Sequence, residues 1–500
     1  MCVPLAFQQT TYGPIGTIEG PPFEGAHADF GYAIRSTEIG IFVGAPKFGD
    51  DEQGAVFQFD LDGQVVHRFD GDSQEGLGER FDVSGDWIAL RRRGTVQVLH
   101  THTMQQIGQA IPSNGNTVTL VGGTLLVSEE GASSQNGRVR ILDYDSGVDA
   151  WIETATLDPT VSAGRFGHAT AMSNDGMRLV VSAPNASFGD AEKCGVVVAY
   201  QRTDNGEWSY LGQIIIGDNA NDNFGFSVAL SGDGSTIVAG SPGSNGGGEF
   251  RGQVSTFRME LGLWTRVGGP YKGLTDRDRL GRALDCTYDG SRFVVSSYLH
   301  NGQRGLIRVF DLDSTTNEYT DIFQYTGESA KYRLGFGLTS VLITPSGHRV
   351  MAGATWAGGE ESVSGRIEIY SEVLVPKVED TMAPSSAPTV YPSFSPSVDG
   401  SMVPTVHPSF SPSVDGSMVP TVYPSASPSV DGLSEPTTSL TATEPTVNVP
   451  SAQPAPSSDT TSLRGVSPSN GQADSSGTSG YQAMALYGVA FILIGVVVNN

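Results

Sequence analysis

The sequence predicts an all-β fold, a seven-bladed β-propeller followed by an extended stalk. Three observations support this prediction: a four-strand pattern recurs along the chain, seven copies of it can be counted, and an N-terminal fragment fits a strand that the last copy lacks. Short apolar and β-branched runs are separated by Asp-Gly, Asn-Gly or Gly-rich turns, and no long stretch has helical periodicity.

The repeat is clearest in residues 166–212 and 224–264. Each of these units begins with Phe-Gly, passes through a Ser-x-Asp-Gly step into an apolar run that ends in Ala-Pro or Ser-Pro, and continues through a Gly-led apolar run to a Trp. The Asp-Gly step supplies the positive φ of a tight hairpin. Repeats of this length indicate a propeller or a solenoid.

Five further copies are weaker. Three begin at Phe30-Gly31, Leu280-Gly281 and Leu334-Gly335, and two degenerate copies begin near Leu77-Gly78 and Val118. The last copy ends at its third strand, while residues 12–20 resemble the fourth strand of another unit, residues 210–217. We therefore predict that the N-terminal strand completes the last blade and closes the ring, which leaves no long unpaired edge.

The Phe-Gly and Gly-Ala-Pro pattern, as in Phe30-Gly31 with Gly44-Ala45-Pro46, resembles the FG-GAP repeats of integrin-α-like β-propellers. It is most similar to the shortened variant found in surface proteins of algae and marine microbes. The resemblance covers about residues 12–373 and implies the propeller fold. It implies little about function, because the same propeller serves adhesion receptors, phospholipases and proteins of other kinds.

Integrin-type units often carry a calcium loop of the form Asp-x-Asn-x-Asp-Gly-x-x-Asp. Here only the central Asp-Gly is retained, at Asp175, Asp233 and Asp289. One carboxylate per loop does not supply the six to eight oxygens that calcium requires. These residues are therefore interpreted as hairpin turns, with calcium sites as the alternative, and the acidic loops 60–63 and 218–222 are interpreted in the same way.

No catalytic residue and no cofactor can be assigned from the sequence. Its eight His residues are scattered, without an HExxH motif or a Gly-x-Ser-x-Gly elbow. His100 and His102 would share one strand face, which suits a metal pair, although two exposed strand residues are the favoured interpretation. The basic run 91–93 is expected to form ion pairs across a hairpin rather than to bind an acidic glycan.

Charge and cysteine content limit the partners. The net charge is −25, and 19 of these negative charges precede Thr381, so the folded part would repel a nucleic acid. Cys2, Cys194 and Cys286 form neither a zinc motif nor a disulfide framework, and a bridge between Cys194 and Cys286 is left open.

The C-terminal part has the composition of a stalk and an anchor. Residues 374–482 are rich in Pro, Ser and Thr and include three 16-residue repeats at 387–434, which favours extended polyproline II, with O-glycosylation or a bare linker as alternatives. Residues 483–500 are apolar, and small residues precede them, with Ser469 and Asp474 as candidate attachment sites. This order is typical of a GPI signal, and a transmembrane helix is the alternative.

The expected location is the cell surface. Residues 1–7 lack the basic region of a signal peptide, so we expect an incomplete N-terminus. Asn185 lies in a sequon that would be glycosylated on export. The sequence therefore favours a monomeric, membrane-anchored binding or adhesion module with an extracellular protein or glycan ligand. A hydrolase or lyase acting in the central pocket, or a wall-structural protein, is the alternative.

Overall fold

The computed structural model describes residues 8–21, 28–115, 117–131, 136–159, 164–357 and 365–376. The predicted tail at 483–500 and nearly all of the predicted stalk, with Ser469 and Asp474, lie outside the described residues. Within them, no helix is long and apolar enough to cross a bilayer.

The described strands form seven antiparallel sheets, each a blade of four or five strands. Blade 1 contains β2 (Ala33–Thr37), β3 (Gly40–Ala45), β4 (Ala55–Phe59) and β5 (Val65–Asp70). Blade 2 contains β6 (Phe81–Ser84), β7 (Trp87–Arg92), β8 (Thr95–His100) and β9 (Ile111–Pro112). Blade 3 contains β10 (Thr117–Val121), β11 (Thr124–Ser128), β12 (Val139–Asp145) and β13 (Ala150–Leu157).

The other blades repeat this order. Blade 4 contains β14 (Thr170–Met172), β15 (Arg178–Ala183), β16 (Val196–Arg202), β17 (Trp208–Tyr210) and β18 (Ile215–Ile216). Blade 5 contains β19 (Ser227–Leu230), β20 (Thr236–Ser241), β21 (Gln253–Glu260), β22 (Leu263–Arg266) and β23 (Tyr271–Lys272). Blade 6 contains β24 (Leu284–Cys286), β25 (Arg292–Ser297), β26 (Leu306–Asp313) and β27 (Glu318–Thr326). Blade 7 contains β28 (Val341–Ile343), β29 (Arg349–Ala354), β30 (Arg366–Pro376) and the N-terminal strand β1 (Gln8–Glu19).

This arrangement confirms the predicted seven-bladed propeller. The two degenerate copies form regular blades because their alternating apolar residues are buried, for example Ile88 and Leu90 in blade 2. The sequence did not predict the short helical turn α1 (His300–Gln303) that follows β25. The last strand extends through Pro376, three residues past the expected end of the propeller.

The hydrophobic core lies between the blades rather than within them. Among the described residues it divides into seven clusters, and each cluster combines residues of two neighbouring blades. Between blades 4 and 5, for instance, Val197 and Phe224 pack with Ile237 and Trp264. Each blade is therefore stabilised by both of its neighbours.

The fourth strands carry Trp side chains that bind the preceding blade. Trp264 donates its indole N–H to the Leu211 carbonyl at 2.8 Å, and its backbone N–H binds the Gln213 side chain at 2.9 Å. Trp151 makes the same pair of bonds, to the Ile107 carbonyl and to Gln109 of blade 2. This contact thus recurs at one of the two degenerate blades.

Glycines allow the backbones of neighbouring blades to touch. Gly195, at the start of the third strand of blade 4, lies against Phe224 of blade 5, and a Cβ on Gly195 would stand 2.1 Å from the Phe224 carbonyl oxygen. Five equivalent joints place Gly54 against Leu77, Gly137 against Phe166, Gly252 against Leu280, Gly305 against Leu334 and Gly365 against Phe30. The Phe-Gly or Leu-Gly that starts each of these units is thus a joint between blades.

Ring closure follows the prediction. Strand β1 pairs antiparallel with β30, and Ile18 faces Ile367. Both side chains are buried in the cluster between blades 7 and 1. The first and last described segments of the propeller therefore share one sheet.

The glycine joints can be tested with two substitutions in blade 4. Gly195 and Gly206 have nearly the same backbone conformation, φ +83° and +86°, but a Cβ on Gly206 would meet nothing within 4 Å. We expect Gly206→Ala to cost about 1 kcal/mol of unfolding free energy, since only the left-handed backbone is penalised. Gly195→Ala should cost about 3 kcal/mol or more in denaturant titrations, because the joint must open. If both variants lose the same unfolding free energy, Gly195 does not form a close contact between the blades.

Closure by the N-terminal strand can be tested within that strand. Ile18 is 6% exposed and Ile15 is 56% exposed. Ile18→Asn should lower the unfolding free energy by about 2 to 4 kcal/mol, because an amide replaces a buried side chain. Ile15→Asn should change it by less than about 0.5 kcal/mol. If both variants unfold at the wild-type denaturant concentration, the strand does not close the ring.

Candidate functional site: the central channel

The innermost strands of the blades surround a central channel of about 300 Å³. Its wall combines aliphatic side chains, such as Val118 and Leu342, with a few charged ones: Arg35, Arg80, Asp82 and Asp285. The Phe-Gly or Leu-Gly joints precede these strands, so the residues just after each joint lie at one end of the channel.

Six of these residues form what we call the entrance ring: Tyr32, Arg80, His168, Phe226, Arg282 and Phe336. The Arg282 guanidinium lies 4.9 Å from the ring centroid of Phe226 and 5.6 Å from that of Phe336. Tyr32 and Phe336 make an edge contact at 5.9 Å, and His168 packs on Phe226 at 4.9 Å. The entrance therefore presents aromatic faces together with positively charged donors.

Glu130, near the entrance, is already neutralised by neighbours. It accepts hydrogen bonds from Arg165 at 2.7 Å and from His168 at 2.9 Å. Burial raises the pKa of Glu130, but the bonds from His168 and Arg165 outweigh burial and lower the pKa to about 2. Burial also lowers the pKa of His168.

Deeper in the channel, two carboxylates bind the free backbone edges of innermost strands. Asp82 accepts a hydrogen bond from Arg35 at 2.5 Å and another from the Leu120 N–H of the next blade at 2.8 Å. Asp285 accepts the Ile343 N–H at 3.0 Å. These side chains satisfy strand edges that face the channel.

The two channel carboxylates differ in their charged neighbours. Asp82 has an ion pair with Arg35, whereas no cation lies within 4 Å of the Asp285 carboxylate among the described residues. Burial raises the pKa of Asp285 to about 6, and the charge on Asp82 contributes in the same direction. Asp285 can therefore hold a proton near neutral pH.

The predicted metal candidates lie in hairpin turns, and the residue before each of them, Asn174, Gly232 or Tyr288, lines the channel. Asp175 accepts hydrogen bonds from the Ser173 hydroxyl at 2.5 Å and from the Met177 N–H at 2.9 Å. Asp233 and Asp289 make the corresponding bonds in their own blades, and the glycine after each of the three has φ between +66° and +70°. Within the described residues, no three His, Cys, Asp or Glu side chains are grouped to hold a metal ion.

The remaining sequence candidates have separate places. Asn185 is half-buried, and its side-chain oxygen accepts a hydrogen bond from Asn223 at 3.2 Å. Cys194 and Cys286 are buried free thiols rather than a bridge. His100 and His102 are neighbours with ring centroids 5.8 Å apart.

The basic run forms ion pairs, as expected, although they link loops of blades 1 and 2 rather than the two sides of one hairpin. Arg92 binds Glu75 at 3.1 Å, and Arg91 approaches Glu79 at 3.9 Å. Both acidic residues lie in the connection between β5 and β6.

Comparisons with known proteins leave the family open. No family model matches the chain, and no curated protein matches it. Similar solved structures include two crystal structures of proteins described as putative 6-phosphogluconolactonases. One, from Bacteroides uniformis, is 13% identical, with a TM-score of 0.43 over 69% of this chain and 89% of the other. The second, from Bacteroides fragilis, is 16% identical, with a TM-score of 0.44 over 66% and 98%. These similarities assign neither a family nor a function to this chain.

The sequence reasoning missed the entrance ring and the channel carboxylates. A signal was present, because Tyr32, His168, Phe226, Arg282 and Phe336 each directly follow the Gly of a Phe-Gly or Leu-Gly pair, and Arg80 lies one position further on. Superposing the repeats would have shown that the residue at this position varies in chemistry while the residues beside it do not. The contacts among the entrance-ring residues could not be predicted, because they form only in the closed ring.

The protonation of Asp285 predicts a pH-dependent stability. Because the pKa of Asp285 is raised in the folded protein, ionising this carboxyl destabilises the fold. This destabilisation is absent below about pH 4, grows as the pH rises towards 6, and is constant above pH 6. Asp285→Asn should therefore stabilise the protein by up to about 3 kcal/mol at pH 7.5 and by close to nothing at pH 4. Thermal unfolding of both proteins across this range measures the difference.

Asp289→Asn is the matched control in the same blade. Burial opposes ionisation of Asp289, but hydrogen bonds from Ser291 and Thr287 lower its pKa overall. Replacing the Asp289 carboxylate should destabilise the protein at neutral pH, and the difference in stability between variant and wild type should shrink as the pH falls below about 4. A pH-independent gain for Asp285→Asn would show that the carboxyl is ionised throughout.

Proposed function

We propose that this protein is a cell-surface binding module that holds an extracellular protein or glycan ligand at the entrance of the central channel. The observation that carries the proposal is the composition of that entrance. Aromatic faces surround a few directed polar groups above a cavity of about 300 Å³, which is the usual composition of a ligand site.

Surface display is part of this proposal. It rests on the Pro/Ser/Thr-rich stalk and the apolar tail of the sequence. Phosphatidylinositol-specific phospholipase C should release a protein carrying an epitope tag in the stalk from intact cells. Surface staining without release would favour a transmembrane tail, and absence of staining would contradict the surface location.

Binding at the channel can be tested with two matched substitutions. Ser36 lines the channel and Ser209 lies on an outer strand of blade 4, and both are half-buried. On an array of glycans and extracellular proteins, Ser36→Trp should lose at least about tenfold in affinity, since the indole would fill the channel. Ser209→Trp should bind as the wild type does. If the two variants bind alike and both keep the wild-type melting temperature, the ligand does not use the channel.

A second candidate function is cleavage of a polysaccharide in the channel. The observation that favours it is the pairing of Asp285, whose pKa is near 6, with the ion-paired Asp82, because an acid and a carboxylate in one pocket suit general acid catalysis. New reducing ends or unsaturated products from array-positive glycans, lost in Asp285→Asn, would establish this activity. Binding without turnover would leave the binding module.

A further inference from the structure

The two arginines of the entrance ring form no ion pair with a carboxylate among the described residues. Arg80 is half-buried and lines the channel, and its guanidinium has no hydrogen bond or ion pair with any described residue. Arg282 donates from Nε to the Phe336 carbonyl at 3.1 Å, and its terminal nitrogens have no carboxylate partner among the described residues. Each guanidinium therefore keeps unused N–H donors.

Acidic residues close to the ring are bound elsewhere. Glu79 approaches Arg91 at 3.9 Å, and Asp278 accepts from the His300 ring at 3.0 Å and from the Thr275 N–H at 2.8 Å. Glu130 is held by Arg165 and His168, as described above.

His168 provides a second, independent observation. Its ring is 3% exposed, and its Nε2 atom is buried without a hydrogen-bond partner among the described residues. Its other ring nitrogen binds Glu130, and the ring lies on Phe226, which lines the channel. With Nδ1 donating to Glu130 and burial lowering the pKa of the ring, the unpaired Nε2 is an acceptor, which suits a hydroxyl group of a sugar ligand rather than the anion itself.

We propose that Arg80 and Arg282 form an oxyanion-binding site at the channel entrance, with His168 beside them. This inference rests on the proposed function, since it names the chemistry that the channel would recognise. A guanidinium presents N–H donors in a planar fork that matches a carboxylate or a sulfate. The anion would come from an acidic sugar of a glycan or from a small free anion.

The energetics of the free protein agree with this assignment. Burial lowers the pKa of Arg80, whereas the nearby charges of Glu79 and Glu130 raise it and that of Arg282 lowers it. Neither arginine forms an ion pair with a described residue, so the cost of burying each charge is offset only in part until an anion binds. A structural arginine would have the opposite effect, because its removal would leave a carboxylate unpaired.

The test uses titration calorimetry and thermal unfolding of the full chain with three probes: trigalacturonate, its neutral carboxyl-reduced counterpart, and sodium sulfate. Arg80→Gln and Arg282→Gln should each weaken trigalacturonate binding by about 10-fold to 100-fold. The control is Arg349→Gln, because Arg349 is exposed on β29 and has no ion pair with a described residue. Arg349→Gln removes the same charge as the other two substitutions, and this variant should bind trigalacturonate as the wild type does.

The results separate the source of the anion from the existence of the site. Preference for trigalacturonate over its neutral counterpart, lost in both variants, establishes an acidic-glycan site. Sulfate binding with the same arginine dependence assigns the site to a free anion. Equal binding of the charged and neutral sugars, or no binding of any probe, would overturn the inference.

Thermal unfolding distinguishes a binding role from a structural one. Without a ligand, Arg80→Gln should melt at or above the wild-type temperature, and trigalacturonate should raise the melting temperature of the wild type only. A lower melting temperature with unchanged affinity would make Arg80 structural and would refute its place in the site. A neutral ligand that Ser36→Trp excludes, with no effect of Arg80→Gln, would overturn the oxyanion site and leave the channel as a binding site.

Discussion

The structure depends on the close backbone contact between the glycine that starts the third strand of one blade and the Phe-Gly or Leu-Gly that starts the next unit. At six of these joints, among them Gly195 with Phe224 and Gly54 with Leu77, a Cβ on the first glycine would overlap main-chain atoms of the next blade. This contact fixes the spacing of the two blades at these six joints, and an apolar cluster fills the space between the blades at each of them.

The joint also explains why the entrance ring can vary. Phe166 and Phe224 are buried, and the glycine after each has a left-handed backbone conformation. The residue that follows the glycine therefore lies at the channel entrance, whatever its side chain is. His168 and Phe226 occupy this position in successive blades and contact each other there. The repeat thus separates a structural requirement, which is the same in most units, from a recognition surface whose chemistry each unit can set alone.

The sequence predicted the seven blades and their closure because both depend on local patterns, namely alternating apolar runs, Asp-Gly turns and a fourth strand missing from the last unit. It did not predict the site, because Arg80 and Arg282 are about two hundred positions apart and come to the same channel entrance only when the ring is closed. Blades 2 and 3 show the limit of motif recognition. Their joint lacks the glycine contact, since a Cβ on Gly94 would meet nothing within 4 Å, and the Trp151 bonds to blade 2 together with the Asp82 bond to Leu120 connect them instead.

The charge distribution bears on the ligand that the proposed oxyanion site would select. Many charged side chains of the described residues form ion pairs, as Arg92 does with Glu75 and Arg202 with Asp143, but more than half of the acidic ones have no such pair and leave the exterior acidic. Arg80 and Arg282 form no ion pair with a described residue, although the charges of Glu79 and Glu130 lie near Arg80. If these arginines bind an oxyanion as proposed, a negative ligand would be repelled by the acidic exterior and attracted at the entrance of the channel. The proposed site would then discriminate between anions that can enter the channel and anionic surfaces that cannot, which a uniformly basic protein would not do.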